Sequence, residues 1–347
     1  MYAILQYCQH LNYFVDYKLN VTSSEGSTSA YREYFLSYVG VASKLPNVMF
    51  QAFNLATQNS YCSLTFRIFA CIVLEVVIFA GTIALAVINT DSWVEIFFII
   101  TMISIVLINM ANGVFQSCLY AVAAKLPMKY TNAVTTGLNI SGIFTAIAMI
   151  IAIAASSTMV MEAVYYFSAS ILYLIISFVT YIFVPNNAFF KHYQSLKSKE
   201  LETESPAEIN ENENAIMQGN DDESDNSKIR TWIKNTRGCW MQCANVFVIY
   251  FVSLSIFPAI QANIAPVSDI INAEYFSPVF CFLSFNLFSM VGNLIAGRYK
   301  LFSKKTLWIP SVIRLLFIPI FLFCNYYPKQ RKLPVLFDDD YSYICIG

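Results

Sequence analysis

Asn109, Asn112 and Gln116 stand three and four residues apart in an otherwise apolar run over residues 96–127. That spacing places three amides on one stripe of a helix, with Ile105, Val106, Leu107 and Phe115 supplying apolar surface around it. Amides donate and accept hydrogen bonds without carrying charge. Inside a membrane they either bind neighbouring helices or line a cavity where a hydrogen-bonding solute satisfies them.

The same pattern recurs. Thr135, Thr136 and Asn139 share a helix face; Asn286, Ser289 and Asn293 fall at i, i+3 and i+7; Gln242 and Asn245 begin an apolar run interrupted by Pro258, which frees a backbone carbonyl. Single interhelical bonds of this kind contribute only about 0.6 kcal/mol. Four stripes together point to a shared polar cavity rather than four separate contacts between helices.

Other chemistry is missing from the sequence. There is no HExxH, GxSxG or nucleotide-cradling glycine loop, and His10 and His192 are isolated. Neither a CxxC pair nor a metal-ligand spacing occurs, and seven of the nine cysteines lie in or beside apolar segments, as small buried hydrophobes do. The expectation is therefore no enzyme, no metal and no cofactor. Lys44, Glu75, Glu162 and Arg314 are the charges within apolar segments, too few to form the carboxylate chain that a proton pathway needs. A neutral, amide-lined cavity fits a neutral solute with many hydrogen-bonding groups, such as a sugar or nucleoside.

The elements that must position these amides are membrane helices. The 347 residues are 57% hydrophobic and 12% charged, against roughly 25% charged in soluble proteins, and mean hydropathy is +0.55. A span needs about 20 apolar residues. Eight complete ones are read at 36–58, 66–88, 96–124, 131–156, 160–184, 239–263, 276–297 and 306–325. The fold class is an all-α polytopic protein embedded in the lipid bilayer.

Residues 185–238 contain an acidic, aromatic-poor tract expected to be a disordered loop. It separates a five-span bundle (36–184) from a three-span bundle (239–325), with 1–35 and 326–347 flanking them. Lys and Arg concentrate on the side of this loop, which makes it cytoplasmic and the first loop extracellular. That first loop carries Asn20-Val21-Thr22, an acceptor sequence for N-glycosylation. The near-neutral net charge of −1 and the absence of a basic patch argue against nucleic acid as a partner.

Several long stretches resemble the equilibrative nucleoside transporters. FFIITMISIVLINMANGVFQSCLYAVAAKLPMKYT (97–131) is similar to the family's fourth span, including LIN, the Gln and the closing LP-x-x-Y-T. YFSPVFCFLSFNLF (275–288) resembles its eighth span, WIPSVIRLLFIPIFLFCN (308–325) its ninth, and PNNAFFKHYQSL (185–196) the start of its central cytoplasmic loop. The resemblance implies a major-facilitator-like bundle, normally of eleven spans as six plus five, with substrate between the halves. It implies facilitated diffusion of purine and pyrimidine nucleosides without a cofactor, at the plasma membrane.

Position by position, the resemblance implies that Gln116 contacts the base and that Asn112 falls where a small residue often affects inhibitor sensitivity. Pro46 and Asn47 mark the gate region of the second span, and Phe257 with Pro258 matches a cavity-facing Phe-Pro. Asn286 agrees with the family pattern. Ser289 and Asn293 stand where many members have Asp and Arg, the latter expected to hold the ribose. Asn293 can donate and accept hydrogen bonds but cannot supply a charged bidentate grip.

Tyr13-Phe14 aligns with the end of the family's first span, and DDDYSYICIG stops as a tenth begins. The expectation drawn from this is a chain shortened at both ends that transports poorly, whose full-length parent transports nucleosides. Two alternatives stand beside it. One is a non-transporting protein that associates with and regulates a full-length relative; the other is a carrier of nucleobases or another neutral polar solute.

Overall fold

The computed structural model describes residues 35–57, 63–89, 92–124, 126–184, 186–193, 195–196, 221–257, 260–267, 272–299, 303, 306–325 and 334–336. Asn20 and Pro258 lie outside them.

The described residues form helices in the order α1 (Phe35–Ala56), α2 (Leu64–Val87), α3 (Val94–Ala123), α4 (Met128–Ala155), α5 (Met159–Phe183) and α6 (Asp221–Ile256), followed by α7 (Ala273–Arg298) and the shorter α8 (Trp308–Leu322). Among the described residues, six helices are long and apolar enough to cross a membrane: α2 to α5, the apolar Arg237–Asn263 stretch that includes the end of α6, and α7. The chain is an all-α, multi-pass membrane protein. The other two expected spans are helical as well. α1 has 22 residues but carries Lys44, Asn47, Gln51 and Asn54, and α8 tightens into a 3₁₀ turn at Arg314–Leu316.

Local chemistry sets the helix starts. Ser63 accepts from the Phe66 N–H at 3.2 Å and Thr158 from the Met161 N–H at 3.3 Å, so hydroxyls cap α2 and α5. Within the spans, hydroxyls turn back onto the carbonyl four residues earlier, as Thr101, Thr145, Ser170 and Ser253 do at 2.8–2.9 Å. These hydroxyls thus find an acceptor on their own helix. α6 begins at Asp221, inside the tract expected to be disordered.

One apolar cluster runs through the molecule. Phe79, Phe97, Ile105, Ile108, Ala146, Tyr166 and Phe167 of α2 to α5 join Phe257, Cys281 and Phe282 from the end of α6 and from α7. A second, with Val252, Ile256, Phe276 and Phe321, binds α6, α7 and α8. Outward positions are equally apolar: Val77, Leu172 and Ile176 are 62%, 58% and 56% exposed. Such a surface is stable only against lipid.

α1 packs chiefly on α3, α2 on α3 and α5, and α4 on α5 and α7. α4 therefore joins the first five helices to the later ones. Within α7, Ser277–Leu283 winds as a π helix with Pro278 in its first turn. Proline lacks an N–H and pushes the ladder out of α register there.

Candidate amide site between α1 and α3

The amide stripe of α3 faces a second stripe on α1. Asn47, Gln51 and Asn54 lie at i, i+4 and i+7, so they share one face of their helix. Asn47 donates through Nδ2 to the backbone oxygen of Asn109 at 3.2 Å. Gln51 donates through Nε2 to Asn47 Oδ1 and to Gln116 Oε1, both at 3.0 Å. Close approach of the two helices makes this possible: a Cβ on Gly113 of α3 would sit 2.5 Å from the Asn47 carbonyl oxygen.

One turn further along, Asn54 Nδ2 donates to Ser117 Oγ at 3.0 Å. Arg67, in the first turn of α2, donates to Asn54 Oδ1 at 2.8 Å and to the Thr57 carbonyl at 2.9 Å. Its guanidinium closes the C-terminal end of α1, where carbonyls lack helical partners and positive charge is favoured.

Each residue singled out in the sequence has a definite place. Gln116 and Asn47 are half-buried members of the amide network. Asn109 is fully buried and turns its own Nδ2 back to the Ile105 carbonyl at 2.7 Å. Asn112 is buried. Phe257 is buried in the aromatic core, stacked on Phe285 at a centroid distance of 4.0 Å and edge-on to Phe282 at 5.5 Å. Asn286 is buried on α7, donates to the Phe282 carbonyl at 2.7 Å and packs against Gly142 of α4. Ser289 and Asn293 follow on α7, half-buried. The network thus joins Gln116, Asn47 and Asn109, while no hydrogen bond among the described residues links them to Asn286, Ser289 or Asn293.

Four buried amide atoms have no hydrogen-bond partner among the described residues: Asn109 Oδ1, Asn112 Nδ2, Asn139 Nδ2 and Asn245 Nδ2. Each such atom costs about 1–3 kcal/mol. All four lie on the polar stripes of α3, α4 and α6.

Gln51, Asn54, Arg67 and Ser117 were not singled out from the sequence. The signal for the first two was present, since Asn47, Gln51 and Asn54 have the same helical spacing as the stripe on α3. Arg67 gave less warning, because a basic residue at a span end is ordinary. Among the described residues, no three His, Cys, Asp or Glu side chains gather to hold a metal ion. Around Asn47, Gln51 and Gln116 the chemistry on offer is neutral hydrogen bonding.

Known proteins match this pattern. A nucleoside transporter family model matches residues 102–347. The chain is 31% identical over 295 residues to equilibrative nucleoside transporter 1 of Homo sapiens, covering 80% of this chain and 63% of the relative. Its identity to the Rattus norvegicus form is 30% over 332 residues, covering 89% and 70%. For equilibrative nucleoside transporter 2 of Homo sapiens it is 26% over 348 residues, covering 93% and 75%. The chain thus spans less than two thirds of the length of the first of these relatives and 70% and 75% of the other two. These are transporters rather than enzymes, and the extent of the match, from the amide stripe of α3 onward, means that this chain belongs to the nucleoside transporter family.

Proposed function

We propose that this protein carries purine and pyrimidine nucleosides across a membrane by facilitated diffusion, through alternating access between α1–α5 and α6–α8. The observation that carries this reading is the half-exposed Gln116 amide, held by Gln51 in a network that contains no charge. A nucleoside is neutral and rich in donors and acceptors. It suits amides that exchange hydrogen bonds without the desolvation cost of burying ions.

In this reading Gln116 meets the base, with Asn112 and Asn47 beside it. Ser289 and Asn293 of α7 face the sugar as neutral hydrogen-bonding groups. Phe257 and Asn286, both buried where α7 meets the rest of the molecule, shape the wall. The substrate gradient supplies the driving force, so no cofactor is required. The distribution of Lys and Arg supports a cytoplasmic tract after Val184 and an extracellular first loop bearing Asn20, and the reading assigns the protein to the plasma membrane. Loss of a glycosidase-sensitive gel shift in Asn20→Gln checks that orientation.

Uptake of labelled uridine and adenosine in transporter-deficient cells tests the function. Saturable uptake above the background of those cells, however slow, is expected, with Gln116→Ala lowering it much more than surface expression. Equal loss of both in that variant assigns Gln116 to packing alone. Absence of uptake of either nucleoside overturns the function.

A further inference from the structure

The amide network fixes which end of Gln116 is offered to a ligand. A backbone carbonyl only accepts, so Asn47, 3.2 Å from the Asn109 oxygen, must present its Nδ2 to it. Asn47 Oδ1 is therefore left as an acceptor. Gln51, 3.0 Å from that oxygen, must present Nε2. The same Nε2 lies 3.0 Å from the Gln116 amide and spends its second hydrogen there, so Gln116 turns Oε1 to Gln51. Gln116 Nε2 remains. It has no hydrogen-bond partner among the described residues, and it is not among the buried atoms left unpaired; Gln116 itself is half-buried.

Reversing any one amide in this series breaks the others. A turned Asn47 would set its oxygen against the Asn109 oxygen, two acceptors facing each other. The anchor is also sterically held, because the Asn47 backbone oxygen lies against Gly113. Side-chain order thus passes from a backbone atom that cannot change its role, through two amides, to the group at the substrate.

We infer that Gln51 and Asn47 are positioning residues that lock Gln116 with its NH₂ toward the substrate, so that the site reads a hydrogen-bond acceptor on the base. This rests on the nucleoside reading given above. In adenosine the ring acceptors are N1, N3 and N7, and a locked donor that meets a C–H in place of one of them is stranded. An unlocked amide would instead turn its oxygen to that C–H, and the distinction would fade.

Uptake of adenosine and of 1-deaza-, 3-deaza- and 7-deazaadenosine, normalised to surface protein, tests the lock. In the native protein one deaza analogue is expected to show a KM about three- to tenfold above adenosine. Gln116→Met should erase that penalty. Gln51→Leu should shrink it below about twofold while Vmax per surface copy is maintained, a split that simple misfolding does not produce, and Asn47→Leu should shrink the penalty likewise. Gln51→Met, similar in length and lacking a donor, serves where the leucine variant fails to reach the surface. Two results overturn the inference: a native protein indifferent to all three analogues, or a full penalty retained in Gln51→Leu and Asn47→Leu but erased in Gln116→Met. Absence of adenosine uptake by the native protein removes the nucleoside reading itself, and this inference with it.

Discussion

The side-chain amide of Asn286 on α7 fills the space that a Cβ at Gly142 of α4 would occupy. Its Nδ2 is tied to the Phe282 carbonyl of its own helix, so the amide cannot swing aside without leaving a buried donor unpaired. Glycine at 142 is therefore a condition for this contact between α4 and α7.

Gly142→Ala is expected to cost about 1–3 kcal/mol as an overpacking change, read as a lower melting temperature in detergent. Gly81→Ala, with open space around the added methyl, serves as the neutral control. Because the obstacle at 142 is a side chain, Asn286→Ala should recover part of the loss, and the double variant should be non-additive. Strict additivity would show that the two residues do not share this space.

Gly113→Ala should behave differently. There the obstacle is the Asn47 backbone oxygen at 2.5 Å, which no side-chain change removes. A loss of about 1–3 kcal/mol is expected, with no rescue by Asn47→Ala. Rescue would place the strain elsewhere.

Arg67 binds two neutral acceptors on α1, the Asn54 amide oxygen and the Thr57 carbonyl. Hydrogen bonds from a charged donor contribute about 1.5–3 kcal/mol each, so Arg67→Ala should destabilise the C-terminal end of α1 measurably. Arg67→Lys should recover only part, since a lysine is a point donor without the planar fork. Neither acceptor is ionised, so the deficit should be similar at low and high salt. A deficit that vanishes in high salt would point to a carboxylate partner instead.

The helices were legible in the sequence because lipid demands long apolar runs, and that demand leaves few alternatives. α3 is Val94–Ala123, within two residues of its expected bounds at both ends. The start of α6 was not legible: low hydrophobicity around Asp221 reads as disorder, while acidic residues favouring a helix N-terminus leave only a weak trace. For the amide site, periodicity found the stripe on α3 but not what it faces. Lys44 and Pro46 draw attention away from Gln51 and Asn54, and hydrogen bonds between α1 and α3 join residues more than 60 positions apart. Spacing reports which residues share a helix face. It does not report that Asn286 would meet a glycine on another helix.

The π turn at Ser277–Leu283 has a consequence for the length of the chain. A π turn closes one residue later than an α turn, so α7 holds one residue more there than its neighbours require. Deleting one residue between Ser277 and Leu283 should tighten the turn to α and leave Asn286, Ser289 and Asn293 facing as they do now. The same deletion between Leu283 and Asn286 would rotate all three by about 100°, taking Asn286 away from Gly142. Detergent stability and surface expression of single-residue deletions across α7 should therefore show one tolerant window in an otherwise intolerant helix, and it should end at Leu283.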